Sequence, residues 1–177
     1  MRTRVIPVVI LLALVALPWP ALAGQPGARN FVAHLSGDEE VPPVDTQAQG
    51  QAIFQLNKAG EELRFLLLVA NIEDINQAHI HCGAEGVNGP VVAFLYPPGP
   101  PPALIPGRSD GVLAQGTLTN VNVIPRPDSP QCPDGRADFD ELLAKMRSGD
   151  TYTNVHTLDH TGGEIRGQIK AAGPPAQ

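Results

Sequence analysis

The chain has 177 residues, of which 42% are hydrophobic and 17% are charged. This composition supports a folded core and excludes a wholly disordered chain, and the length fits one domain. The formal net charge of −6 argues against nucleic acid and anionic membrane surfaces as partners. The 18 glycines and 19 prolines favour a fold rich in turns over a helical bundle.

Residues 1–23 have the pattern of a signal peptide. Two arginines precede an apolar run, and the segment ends in the small residues of Ala21-Leu22-Ala23. The apolar run is too short to span a membrane easily. We therefore expect cleavage after Ala23 and a secreted or periplasmic protein that keeps no membrane span.

Period-two alternation of apolar residues recurs along the rest of the chain and predicts half-buried strands. About eight short strands separated by Gly, Pro and Asn predict an all-β, antiparallel Greek-key sandwich or barrel. The strand at 63–69 is apolar on both sides, which predicts a central position covered on both faces. The candidate strands lie at 31–35, 52–56, 63–69, 77–82, 90–95, 111–119, 151–157 and 163–170.

One helix is predicted at 139–148, where Asp138 is placed to cap its start and Gly149 to end it. Two proline-rich loops are expected, at 97–108 and 124–135. The predicted β domain covers 31–170. It lies between a flexible N-terminal segment at 24–30 and a disordered tail at 171–177.

Two cysteines follow the predicted cleavage site, Cys82 and Cys132. An even cysteine count in an exported chain favours a disulfide bond between them. The alternatives are two free thiols or soft metal ligands, although no CxxC spacing supports a zinc site.

Three histidines form the sharpest candidate site. His79 and His81 alternate along one strand and therefore project to the same face. His156 lies on a later strand, where Tyr152 and Asn154 share its face. If the two strands are neighbours, three imidazoles converge, a donor set that suits copper or zinc. The alternative is that these histidines only hydrogen-bond to turns and strands and have a structural role.

Two further motifs accompany the histidines. After the His pair, glycines at every third position predict a connection that needs positive φ, in which Asn88-Gly89 supplies a turn and Pro90 opens the next strand. In the last strand, Glu164 and Arg166 share a face and are expected to pair with each other or with a neighbouring strand. There Gly167 is expected to let a bulky core residue pack close.

The chain resembles a chordin-type (CHRD) domain. Three stretches carry the similarity, namely FVAHLSGDEEVPPV at 31–44, AHIHCGAEGVNGPVVAFL at 78–95, and the TYTNVHT and GEIRGQI segments within 151–169. The resemblance implies a β-sandwich or barrel of immunoglobulin-like character. Because the domain occurs in chordin, an extracellular antagonist of signalling proteins, and in exported bacterial proteins, it also implies a binding or structural module.

A second, local similarity concerns the histidines. The arrangement of His79, His81 and His156 resembles the copper-ligand strands of copper/zinc superoxide dismutases. The chain has no bridging histidine and no pair of zinc histidines in the loop that follows the His pair, where GAEGVNGP stands instead. The similarity therefore argues against dismutase activity and leaves a mononuclear copper site open.

Two functions follow as hypotheses. The first is an exported, non-enzymatic module that binds an unknown protein or an envelope component, because no complete catalytic set is visible: no Ser lies in a nucleophile elbow and no P-loop is present. The second is a mononuclear copper or zinc protein, redox-active in the case of copper. The sequence leaves the oligomeric state open.

Overall fold

The structure, a computed structural model, describes residues 27–130, 132 and 138–172. The predicted signal peptide lies outside the described residues. Within them, eight strands and one α-helix follow one another along the chain. They are β1 (Asn30–Ser36), β2 (Gln49–Leu56), β3 (Leu63–Cys82), β4 (Val91–Tyr96), β5 (Ile105–Leu118), α1 (Phe139–Ser148), β6 (Thr151–Thr157), β7 (Ile165–Gln168) and β8 (Lys170–Ala171).

The eight strands form one antiparallel sheet that closes on itself like a barrel. The hydrogen-bonded order is β2-β1-β7-β6-β3-β4, and β2 also pairs with β3, which joins the two ends. β5 pairs with β3 and β8 pairs with β1. The prediction of an all-β antiparallel barrel with one short α-helix is therefore confirmed.

The 20-residue strand β3 takes part in two different sections of the barrel. Its first half pairs with β2 and β5, and its second half pairs with β6 and β4. Between the halves the register shifts, and Asn71 and Asp74 have φ values of 56° and 50°. Asn and Asp are the residues besides Gly that best tolerate this left-handed region, so the sequence places them where the strand must bend.

The barrel interior is mainly apolar and is filled by alternate residues of the surrounding strands, with the buried threonines Thr151 and Thr153 on the same face of β6 as Val155. Phe31 and Phe54 face each other across β1 and β2, and both are buried. Ile80, Val155 and Ile165 fill the same interior from β3, β6 and β7. Because side chains alternate along a strand, the opposite face of these three strands is free to carry polar residues.

Helix α1 closes one side of the core. Asp138 accepts a hydrogen bond from the backbone N–H of Glu141, and Gly149 ends the helix in the left-handed conformation at φ 82°. Both ends are as predicted. The predicted disulfide between Cys82 and Cys132 is also present, and it ties the end of β3 to the loop that precedes α1.

Some predicted boundaries were wrong. The separate strands at 63–69 and 77–82 are the two halves of β3, because Asn71 and Asp74 bend the strand without breaking it. The last strand is divided at Ile169 into β7 and β8. β5 begins at Ile105, inside the predicted proline-rich loop. The predicted central position of 63–69 is confirmed, although Leu66 and Leu68 are only half-buried.

Both ends of the described domain are held by contacts. The backbone carbonyl of Ala28 accepts a hydrogen bond from Arg147, and Arg29 donates to the carbonyl of Leu56. Ala171 pairs with Phe31 through β8. The sheet thus reaches slightly beyond the predicted domain limits at both ends.

Candidate metal centre

One face of β3, β6 and β7 carries a layer of buried polar side chains. These strands are neighbours in the sheet, with His79 opposite Asn154 and Asn154 opposite Arg166. All members of the layer point away from the apolar barrel interior because they occupy alternate positions. The layer consists of His79, His81, Tyr152, Asn154, His156, Glu164, Arg166 and Gln168.

The structure brings the three candidate histidines together. One nitrogen from each ring lies within 4.8 Å of the others, and Nδ1 of His79 lies 3.1 Å from Nε2 of His156. All three side chains are more than nine-tenths buried. The predicted convergence of imidazoles from β3 and β6 is therefore confirmed, because the two strands are direct neighbours.

Backbone carbonyls fix the tautomers of two of these rings. Nδ1 of His81 lies 2.8 Å from the carbonyl oxygen of Gly89, and Nδ1 of His156 lies 2.9 Å from that of Thr161. A carbonyl oxygen only accepts, so Nδ1 carries the proton in both rings. Nε2 of His81 and Nε2 of His156 therefore present lone pairs, as a metal ligand requires.

His79 completes the arrangement. Since Nε2 of His156 carries a lone pair, Nδ1 of His79 donates to it in this structure. Nε2 of His79 and Nε2 of His81 are buried and have no hydrogen-bond partner among the described residues. Burying a polar atom without a hydrogen-bond partner costs free energy, so these atoms indicate a site for a bound group.

The cluster strongly favours neutral imidazoles. Burial, together with the nearby His156 and His81, lowers the pKa of His79 to about 3. Burial likewise lowers the pKa of His81 to about 4, against an opposing hydrogen bond to Gly89. The pKa of His156 is lowered by the same burial. All three rings are thus in the protonation state that binds metal at neutral pH.

Aromatic neighbours hold the rings in place. Phe94 of β4 meets His79 edge to face, with ring centroids 4.8 Å apart. Tyr152 stacks on His81 at 4.8 Å with an interplanar angle of 12°. The guanidinium of Arg166 lies over the Tyr152 ring, 3.4 Å from its centre. These contacts restrict the orientation of His79 and His81.

Two loops, 37–48 and 83–90, cover the polar layer, and we call them the roof loops. Arg166 organises the second of them: it donates to the carbonyl oxygens of Ala84 and Val87 and to Oδ1 of Asn88. Through these three bonds the buried guanidinium of Arg166 holds a loop that has no regular secondary structure.

The first roof loop is tied to the layer and to the second loop. Thr46 donates to Oε1 of Glu164 at 2.7 Å, and Thr157 donates to Oε2 at 2.8 Å. Nδ2 of Asn88 donates to the carbonyl oxygen of Val41 at 2.7 Å. The two roof loops are therefore joined to each other and to the polar layer.

Glu40 is a buried carboxyl within the first roof loop. Burial raises its pKa to about 7, and the positive charge of Arg166 opposes this rise. A Cβ atom on Gly163 would lie 2.3 Å from Oε1 of Glu40 and 2.9 Å from Nδ2 of Asn154. Glycine at this position, with φ 125°, lets the carboxyl group reach the edge of the polar layer.

The other predicted motif residues lie around the site, with some different roles. Asn88 and Gly89 do not make the predicted turn: the turn is at 84–87, where Val87 donates to Ala84, and only Gly86 of this loop has a positive φ. Gly89 is needed because a Cβ atom there would lie 1.7 Å from the carbonyl oxygen of Cys82. Pro90 immediately precedes β4, so the strand begins one residue later than predicted.

The two expectations for the last strand had different outcomes. Glu164 and Arg166 share a face and contact the neighbouring strand β6 rather than each other, because Glu164 accepts from Thr157 and Arg166 lies over the Tyr152 ring. The expectation for Gly167 was wrong. Gly167 makes room for backbone rather than for a bulky side chain: a Cβ atom there would lie 2.1 Å from the carbonyl oxygen of His34.

Sequence reasoning missed several contributors to the site. Glu40 and the carbonyl groups of Gly89 and Thr161 gave no signal, because their role depends on loop positions. Tyr152 and Asn154 were placed on the correct strand face without a function. The signal that could have found them is the run of polar residues at every second position of a fully buried strand.

Comparison with known families agrees with the motifs. The family model of the CHRD domain matches residues 31–169. The chain belongs to the CHRD-domain family. The match includes His79, His81 and His156, both roof loops and Arg166. No curated protein and no solved structure shows significant similarity to the chain. Among the described residues, no helix combines the length and apolar character that crossing a membrane requires.

Proposed function

We propose that this CHRD domain is an exported module that holds one copper or zinc ion through His79, His81 and His156. The observation that carries the proposal is the convergence of three buried, neutral imidazoles, two of which are held by carbonyl groups with Nε2 free of its proton. In metal sites the non-coordinating ring nitrogen is regularly fixed in this way. A purely structural role leaves the buried Nε2 atom of His81 without an explanation.

The distances support one ion bound by all three rings. Copper and zinc lie about 2.0–2.1 Å from histidine nitrogens, so nitrogens around one tetrahedral ion are about 3.3 Å apart. The observed separations span this value, from 3.1 Å between His79 and His156 to a maximum of 4.8 Å. For binding, Nδ1 of His79 must give up its proton, which its Nε2 atom can carry.

The chemistry of the donors favours copper over zinc in affinity. Divalent copper binds nitrogen donors more tightly than divalent zinc does, and three imidazoles suit both metals. Bound copper would supply one-electron redox chemistry at this position. The CHRD domain itself supplies the fixed rings, an apolar neighbour in Phe94 and a cover of two roof loops.

The test is a titration of the purified protein with Cu²⁺ and Zn²⁺, followed by calorimetry and by electron paramagnetic resonance. We expect one ion per chain and nitrogen hyperfine splitting in the copper spectrum. His81→Ala should weaken binding by more than about 100-fold, beyond the range for loss of an outer-shell partner. His34→Ala is the matched control, because His34 is exposed on β1 and lies outside the cluster.

Two results would contradict the proposal. One is a wild-type protein that binds neither metal stoichiometrically. The other is a His79→Ala, His81→Ala double variant that binds copper as tightly as the wild type. A copper site at another residue, such as the exposed His34, would give the opposite pattern: His34→Ala would lose copper binding and His81→Ala would keep it.

Binding of a protein or envelope component is a second candidate function, supported by membership of the CHRD-domain family. It is compatible with the metal site. The test is a pull-down from envelope extract with the wild type and with His81→Ala. A partner that is retained reproducibly, with or without the histidine, supports a binding module, and the absence of any partner counts against it.

A further inference from the structure

Three groups lie in a continuous stack beside the histidine cluster. The guanidinium of Arg166 lies 3.4 Å from the centre of the Tyr152 ring, and that ring stacks on His81 at 4.8 Å. The two rings are nearly parallel, at 12°. Arg166 holds the Tyr152 ring in place through a cation–π contact, and Tyr152 stacks on the imidazole of His81. This stack restricts rotation of the His81 side chain.

The same tyrosine also acts on His81 through the backbone. The hydroxyl of Tyr152 accepts a hydrogen bond from the N–H of Gly89 at 3.1 Å. The carbonyl oxygen of Gly89 accepts from Nδ1 of His81 at 2.8 Å. Both polar groups of Gly89 are therefore engaged by this pair of side chains. Tyr152 thus sets the ring plane of His81 directly and its tautomer indirectly.

We propose that Tyr152, backed by Arg166, is the positioning residue that holds His81 with Nε2 ready to coordinate the metal ion. This inference rests on the proposed metal-binding function. Tyr152 is not itself a ligand, because its hydroxyl is directed to Gly89. Burial raises the pKa of that hydroxyl, so it remains protonated at neutral pH. The role is to reduce the number of orientations that His81 must give up on binding.

Arg166 contributes in a second way. Its three hydrogen bonds hold Ala84, Val87 and Asn88 of the roof loop that also contains Gly89. Loss of the Arg166 side chain would free the loop and remove the cation–π contact with Tyr152. The tautomer of His81 therefore depends on Arg166 although the two residues have no direct hydrogen bond.

The test compares Tyr152→Leu, Tyr152→Phe and Val155→Ala by copper titration and electron paramagnetic resonance. Tyr152→Leu should weaken copper binding by about 10–100-fold and alter the copper spectrum. Tyr152→Phe keeps the stacked ring and loses the bond to Gly89, so its affinity should lie between those of the wild type and Tyr152→Leu. Val155→Ala is the matched control: it removes core packing on the opposite face of β6 and should lower only the melting temperature.

A measurement without metal separates this inference from the proposed function. The ¹⁵N chemical shifts of the His81 ring report which nitrogen carries the proton. We expect Nδ1 protonation in the wild type and a mixture of tautomers in Tyr152→Phe, a mild variant that should fold. A wild-type protein that binds no metal would overturn the proposed function. In that case the tautomer measurement still tests the positioning role, which retention of the Nδ1 tautomer in Tyr152→Phe would overturn. Copper affinity and spectrum unchanged in Tyr152→Leu would overturn it in a protein that does bind metal.

Discussion

His79 and His156 share a hydrogen bond of 3.1 Å between Nδ1 of the first ring and Nε2 of the second. The direction of this bond is fixed from outside, because the carbonyl oxygen of Thr161 holds the proton of His156 on Nδ1. A second proton on His156 would have to sit on the nitrogen that now accepts from His79. The pair therefore resists protonation, and this resistance is measurable as stability.

The first prediction is that the protein loses stability in mild acid. In the unfolded chain histidine has its ordinary pKa of 6.5, whereas burial lowers it to about 3 for His79 and about 4 for His81 in the fold. Between these values the unfolded state binds more protons, so stability is complete above pH 6.5 and falls as the pH drops towards 4. Each ring contributes at most about 1.4 kcal/mol per pH unit.

Urea unfolding at pH 7.5, 5.5 and 4.5 would measure this loss. His156→Gln should flatten the profile, while His34→Gln on the exposed side of β1 should keep it. A pH profile no steeper in the wild type than in His156→Gln would show that the rings are not held neutral.

The second prediction concerns Glu40 and has the opposite sign. Burial raises the pKa of this carboxyl from 4.5 to about 7, so the folded state binds more protons between these values. Its contribution to stability is therefore present below pH 4.5 and is lost as the pH rises to 7. Glu40→Gln removes this term, and the histidine contribution cancels in the comparison with wild type. The difference in melting temperature, Glu40→Gln minus wild type, should be larger at pH 8 than at pH 5. An equal difference at both pH values would refute this prediction.

The third prediction is stabilisation by metal. An ion that binds only the native state adds about 2.7 kcal/mol at a free concentration of 100 times the dissociation constant. For a domain of this size that corresponds to a rise of roughly 5–10 °C in melting temperature. Scanning calorimetry with copper at pH 7.5 should show the rise in wild type and in His34→Ala but not in His81→Ala. A similar rise in all three proteins would place the ion elsewhere.

The fourth prediction tests the roof. Gly89→Ala should destabilise the fold by about 1–3 kcal/mol or more, because the new Cβ atom would lie 1.7 Å from the carbonyl oxygen of Cys82. Gly99→Ala is the control, since no atom lies within 4 Å of its Cβ position and its φ is not positive. Thermal unfolding compares the two. A Gly89→Ala variant as stable as the control would mean that the roof loop adapts freely.

The fifth prediction concerns the disulfide bond. Cys82 and Cys132 are 50 residues apart, so their bond lowers the entropy of the unfolded chain and contributes about 4 kcal/mol. The double variant Cys82→Ser, Cys132→Ser should lose stability of this order in chemical unfolding. A loss below about 1 kcal/mol would indicate that the bond does not act mainly by restricting the unfolded chain.

The fold was largely predictable because alternation of apolar residues reports burial directly. The strands and the helix with both of its caps followed from this pattern and from Asp138 and Gly149. The continuity of β3 did not follow. Asn71 and Asp74 look like turn residues in the sequence, and only the pairing of both halves of β3 with different partners shows that they bend one strand.

The site was predictable in part for a similar reason. Same-strand spacing places His79 and His81 on one face, but their meeting with His156 required β3 and β6 to be neighbours, which is a matter of topology. The partners of the rings were hidden for another reason. The carbonyl groups of Gly89 and Thr161 belong to loops, and no residue type marks a backbone acceptor.

The cover formed by the roof loops has a consequence for how quickly an ion enters and leaves. All three rings are buried, the second roof loop contacts His81 through Gly89, and the bond from Asn88 to Val41 joins the two loops. Exchange would then wait for the loops to part, so residence time reflects local opening rather than the strength of coordination alone. A chelator added in increasing excess should extract the metal at a rate that levels off, and the plateau is the opening rate of the cover.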